Sequence, residues 1–97
     1  MKLGYSIVYV DDIKAVLDFY GRAFGLETRF LHASNEYGEL ETGQTVLGFA
    51  SHKLGAMNLP GGYVRSVLTD KPLEVEFALE TTDVHGALAK ALRGQLQ

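Results

Sequence analysis

The 97-residue sequence has no cysteine, no tryptophan and only two prolines. The missing cysteine excludes disulfides, thiolate metal sites and a cysteine nucleophile, and leaves the redox compartment open. No apolar run approaches the ~20 residues that cross a bilayer. The opening MKLGYSIVYVDD lacks the apolar stretch and small-residue cleavage site of a signal peptide, so the expected location is the cytoplasm. Basic residues are scarce: nine Lys and Arg stand against twelve Asp and Glu, for a net charge of −3, and they form no run. Neither nucleic acid nor a membrane is therefore expected as a partner. What is present is the composition of one small globular domain, 46% hydrophobic and 22% charged. A chain of this length buries roughly 60–70% of its unfolded surface, so its core is modest.

The rest of the chain is organised around the run YVDDIKAVLDFYGRAFGLE, Tyr9 to Glu27. Ile13, Val16, Leu17, Tyr20, Ala23 and Phe24 recur at three- and four-residue steps and form one apolar helical stripe. Asp11 or Asp12 is placed to cap the helix start, and Gly25 to end it in the left-handed conformation. Alternation predicts strands at Leu3–Val10, Leu26–His32, Tyr37–Thr42 and Thr45–Ser51, with turns at 33–36 and 43–44. His52 to Ser66, with three glycines, Asn58 and Pro60, is read as a long loop. Leu73–Thr81 alternates cleanly and is read as a strand. Asp83 then caps a second helix with the stripe Val84, Ala87, Leu88, Ala91 and Leu92, ended by Gly94. The expected fold is α+β: a complete βαβββ module over 1–51, a linker over 52–72 and a partial second module, strand plus helix, over 73–97. All of it belongs to one compact domain.

A shift of 71 residues lays Asp12 over Asp83, Ile13 over Val84, Leu17 over Leu88 and Arg22 over Arg93, a weak internal repeat. The core DxxxxxxFYxxxFGL of the first helix resembles the first module of the vicinal oxygen chelate superfamily, which includes glyoxalase I, bleomycin-resistance proteins and extradiol dioxygenases. YGELETGQTVLGFASH is similar to that module's third and fourth strands, and EVEFALETTDVHGALAKAL to the start of a second module. The resemblance implies two βαβββ halves curled into a cup. By that measure the second half here lacks three strands, and the chain reads as a C-terminally truncated member.

The resemblance also implies where a metal would be held: on the first and fourth strands of each module, usually by His, Glu or Gln. Tyr5 stands at the first of these positions and Gly48 at the second. Glu76 stands at the third, and the fourth lies beyond the sequence. One ligand of four does not make a centre, so neither a metal nor another cofactor is expected. His32, His52 and His85 show no ligand spacing and are read as solvated side chains, with His52 singled out because it opens the glycine-containing loop. No serine sits in a GxSxG turn, Pro60–Gly62 lacks the GK[ST] of a phosphate cradle, and no catalytic residue is assigned.

The same resemblance places Tyr5, Ile7, Tyr9, Val46, Gly48, Ala50, Glu76 and Ala78 on the concave face. Gly48, taken to lie opposite Tyr5, leaves room beside an aromatic ring. Glu74, Glu76 and Glu80 favour a positive charge. The leading expectation is a non-catalytic protein that binds a small apolar or cationic molecule through Tyr5, Ile7, Tyr9, Gly48, Ala50 and Glu76. It is similar to the bleomycin-resistance-like branch. The alternatives are a metal-dependent lyase or dioxygenase completed by missing residues or a partner chain, and a self-associating module with no ligand. The unpaired edge left by the short second half predicts a homodimer.

Overall fold

The computed structural model describes residues 1–95. The elements run β1 (Tyr5–Val10), α1 (Ile13–Phe24), β2 (Thr28–Leu31), β3 (Tyr37–Leu40), β4 (Val46–Ser51), α2 (His52–Asn58) and α3 (Val84–Gln95). The four strands form one sheet in the order β1-β4-β3-β2. β1 pairs parallel with β4, while β3 pairs antiparallel with both β4 and β2. The parallel pair needs a crossover, and α1 with the β2–β3 hairpin supplies it. This is the α+β βαβββ arrangement expected from the pattern.

α1 forms because both its ends are capped and one stripe is apolar. Asp12 accepts from the Ala15 N–H at 3.1 Å, and Gly25 closes the helix at φ 69°, a conformation open to glycine. Ile13 and Leu17 meet Leu40, Leu47 and Phe49 in the core, ringed by Val8, Val10, Tyr20 and Leu31. Phe24, the last residue of the predicted stripe, stays partly exposed and packs on Phe19 and Tyr20 instead. Burial lifts the Tyr20 phenol above its ordinary range. At the β3–β4 turn, the Thr42 hydroxyl donates to the Thr45 carbonyl at 2.7 Å and accepts from the Leu47 N–H at 3.1 Å. Across the β2–β3 hairpin, Asn35 takes φ 61°.

Three expectations are corrected. The stretch after β4 does not begin as a loop, because His52–Asn58 is helix α2. Ser51 is both the last strand residue and the cap, accepting from the Leu54 N–H at 3.2 Å. Residues 73–81 join no sheet: residues 71–83 form neither ladder nor helix, so the alternating stretch has no strand partner. Gly94 does not stop α3, which runs through it to Gln95. It is a contact glycine, since a Cβ there would lie 2.6 Å from the Ala23 Cα, and it lets α3 rest directly on α1. The Arg22 guanidinium donates to the Gly94 carbonyl across that contact. Ala87 and Ala91 are half-buried, whereas Val84, Leu88 and Leu92 remain exposed. Positions 96–97 of the expected second module lie outside the described residues.

Candidate ligand-binding face

Alternation divides the sheet into a helix side and an open side. Leu47 and Phe49 of β4 point to α1, so Val46, Gly48 and Ala50 point away. The register sets Gly48 between Ile7 and Glu39, and Ala50 between Tyr9 and Tyr37. Gly48 therefore lies opposite Ile7, and Val46 opposite Tyr5. This corrects the expected Tyr5–Gly48 pair by one step along the face. Nor is the space over Gly48 vacant, since a Cβ there would meet the Tyr37 hydroxyl at 2.8 Å. Small residues make a low floor, overhung by taller neighbours: Val46 and Ala50 are only 4% and 3% exposed. Tyr5 at 58%, Ile7 at 45% and Phe30 at 45% stand out from it. Tyr9 is at the end of the row, its ring stacked on Tyr63 at 5.1 Å.

The polar chemistry of this face was not read from the sequence. The Tyr37 hydroxyl donates to Glu39 Oε2 at 2.7 Å, and Arg29 Nε lies 3.7 Å from Glu39 Oε1. The Glu39 side chain is 13% exposed. Burial first, then the bond to Glu39 and its charge, hold the Tyr37 phenol well above its ordinary range. Tyr37 is thus a neutral donor that fixes one carboxylate oxygen. Its sequence signal was the alternation of Tyr37 and Glu39 on a strand whose other residues, Gly38 and Leu40, are buried.

Glu76 and Ala78, predicted to share the face, sit on the 71–83 stretch outside the sheet, and both are exposed. Within one chain the structure brings together Tyr5, Ile7, Tyr9, Gly48 and Ala50 but does not add Glu76 to their sheet. The donor set does not suit a divalent ion. Tyr5 and Gly48, at the positions where the resemblance implies ligands, offer neither imidazole nor carboxylate, and Glu39 is already engaged by Tyr37 and Arg29. Among the described residues no three His, Cys, Asp or Glu side chains gather to hold an ion. No described helix is long and apolar enough to cross a membrane.

A second cluster sits where β1 and β4 end. The parallel register pairs Val10 with Ser51, so the next residues, Asp11 and His52, emerge side by side. His52 Nε2 lies 3.2 Å from Asp11 Oδ1, and His52 Nδ1 is 2.7 Å from the Tyr63 hydroxyl. His52 is not a solvated side chain as expected: it is 14% exposed and stacked on Tyr63.

No protein-family model matches the sequence, and no curated protein does. Solved structures do match. A glyoxalase/bleomycin resistance protein/dioxygenase family enzyme from Burkholderia phytofirmans aligns over 99% of this chain and 72% of its own, at 23% identity and TM-score 0.62. A glyoxalase-related enzyme from Fulvimarina pelagi aligns over 96% of this chain and 64% of its own, at 15% identity and TM-score 0.67. A hypothetical protein from S. aureus aligns over 96% and 69%, at 17% identity and TM-score 0.71. The chain therefore has the glyoxalase/bleomycin resistance/dioxygenase fold and spans about two thirds of each of these neighbours.

Proposed function

We propose that the open face of the sheet binds a small, planar, apolar or cationic molecule, in the manner of the bleomycin-resistance-like branch of this fold. The observation that carries this reading is the make-up of the face. Exposed Tyr5, Ile7 and Phe30 stand around a floor of Val46, Gly48 and Ala50, and a largely buried carboxylate, Glu39, is held at its side. Flat aromatic and apolar walls contribute area and stacking. Glu39 retains lone pairs beyond those used by Tyr37 and Arg29, and they orient a donor or a positive charge.

A second copy of the chain completes the face. β1 is an edge strand of the sheet, and an edge presents unpaired N–H and C=O groups. The 71–83 stretch carries strand chemistry without a partner, and its Val75, Phe77 and Leu79 are 65%, 47% and 48% exposed. Each chain thus offers both halves of a missing pair, and a twofold arrangement satisfies both at once. In that arrangement Glu76 of one copy approaches the Tyr5 row of the other.

Proflavine, a planar cation, is a suitable probe, and tyrosine emission reports it because the chain has five tyrosines and no tryptophan. Saturable quenching is expected. Gly48→Phe should abolish it, and Glu39→Gln should weaken it about tenfold, the size of one charge-assisted hydrogen bond. Unchanged affinity in a folded Gly48→Phe protein would remove the site from this face.

A further inference from the structure

We propose that the Asp11–His52–Tyr63 cluster is a second binding site, taking a small monocarboxylate with a short apolar tail. The site lies beside α2, next to the Tyr9 end of the open face. A cavity of about 220 Å³ opens there, walled by Ala56, Leu59 and Pro60, with His52, Tyr63 and Arg65 as its polar groups. That is below the ~300–1,000 Å³ of pockets for drug-sized ligands, so a small occupant is implied. The cluster has the organisation of a site. Gly55 is the floor beneath Tyr63, since a Cβ there would collide with its hydroxyl. The Tyr63 ring stacks with both Tyr9 and His52, and Asn58 Nδ2 donates to the Tyr9 hydroxyl at 3.4 Å.

The hydrogen bonds define what the site does with a proton. With neutral imidazole, Asp11 accepts from Nε2–H, so Nδ1 carries the lone pair and accepts the Tyr63 O–H. The phenol then has no proton to offer the cavity. When the imidazole takes a proton from solvent, Nδ1–H donates to the Tyr63 oxygen, and the Tyr63 O–H turns free to donate into the cavity. A carboxylate there meets two complementary groups, the Arg65 fork and the Tyr63 hydroxyl. Among the described residues, no hydrogen bond or ion pair occupies the exposed Arg65. The charged and titratable groups around the ring are Asp11 from the β1–α1 turn, Tyr9 from β1, and Tyr63 and Arg65 from the segment after α2. The carboxylate meets the Tyr63 O–H only when Nδ1 carries a proton, so ligand binding and proton uptake reinforce each other.

The test is a titration of the intact chain with isovalerate, following the His52 imidazole nitrogens and the backbone amides by NMR. Saturable shifts at His52, Tyr63 and Arg65 are expected, with affinity rising as pH falls, because a proton on Nδ1 frees the Tyr63 hydroxyl to donate into the cavity. Isovaleramide, the same shape without the charge, should produce no saturation. Arg65→Gln, an exposed change that leaves the amide spectrum otherwise intact, should weaken binding at least about tenfold. Linear, unsaturated shifts, equal responses to acid and amide, or affinity independent of pH or of Arg65 would each overturn the proposal.

Discussion

Tyr37 shows how one residue ties the open face together. Its ring covers Gly48 while its hydroxyl holds Glu39. Its raised pKa has a definite consequence for stability. The unfolded phenol ionises near pH 10, whereas the folded one keeps its proton. Above about pH 10 the unfolded state therefore binds fewer protons than the folded state, and stability falls as pH rises. Denaturant midpoints across this range should decline in the wild type and decline less in Tyr37→Phe. Gly48→Ala tests the same contact from below, because its Cβ would lie 2.8 Å from the Tyr37 hydroxyl and must displace it. A loss of about 1–3 kcal/mol is expected from such overpacking, measured by urea denaturation. Alternation set Tyr5, Ile7 and Tyr9 on one side of β1, and the family resemblance added Gly48 and Ala50 to the same face. The pairing of Gly48 with Ile7 was not legible, because register depends on tertiary pairing rather than on period. The Asp11–His52 contact was hidden for the same reason. The two residues lie 41 positions apart, and only the parallel register brings them together.

At the scale of elements, the helix and strands of the first half follow closely from local signals. The Asp12 cap, the Gly25 stop and the 3.6-residue stripe all agree, and the structure obeys them. Where signals conflicted, tertiary context decided. Gly55 and Asn58 looked like breakers in 52–58, but a Ser51 cap and the Tyr63 ring over Gly55 make a short helix there. Residues 73–81 have strand alternation, but a strand needs a neighbour, and within one chain none is paired with it. Gly94 looked like a helix stop because helix stops and close helix contacts both select glycine. The contact reading is testable. Gly94→Val places side-chain atoms where the α1 backbone lies and should separate α3 from α1. Hydrogen exchange along 84–95 should accelerate strongly, while amides of β3 and β4 stay protected. Equal protection in the variant would show that α3 does not depend on this contact.

For the whole molecule, the radius of gyration is 14.3 Å, against about 13 Å for a compact domain of this length. The excess fits a chain whose second half lies open. An open trough of about 1370 Å³ runs between the end of α1 and residues 78–91, and Val84, Leu88 and Leu92 are 68%, 58% and 53% exposed. Sedimentation equilibrium at micromolar concentration should give twice the 10.6 kDa chain mass. Phe77→Asp should shift the equilibrium toward monomer, since a charge in a closed apolar interface is costly. A well-folded monomer in the wild type would remove the shared site but leave the open face of the single chain to be judged separately. That judgement rests on one measurement, the mapping of backbone amide shifts as proflavine is added to isotope-labelled protein. Saturable shifts centred on Ile7, Tyr37, Glu39 and Gly48 are expected. Shifts confined to the α1–α3 trough, or no saturable shift, would contradict binding at the open face.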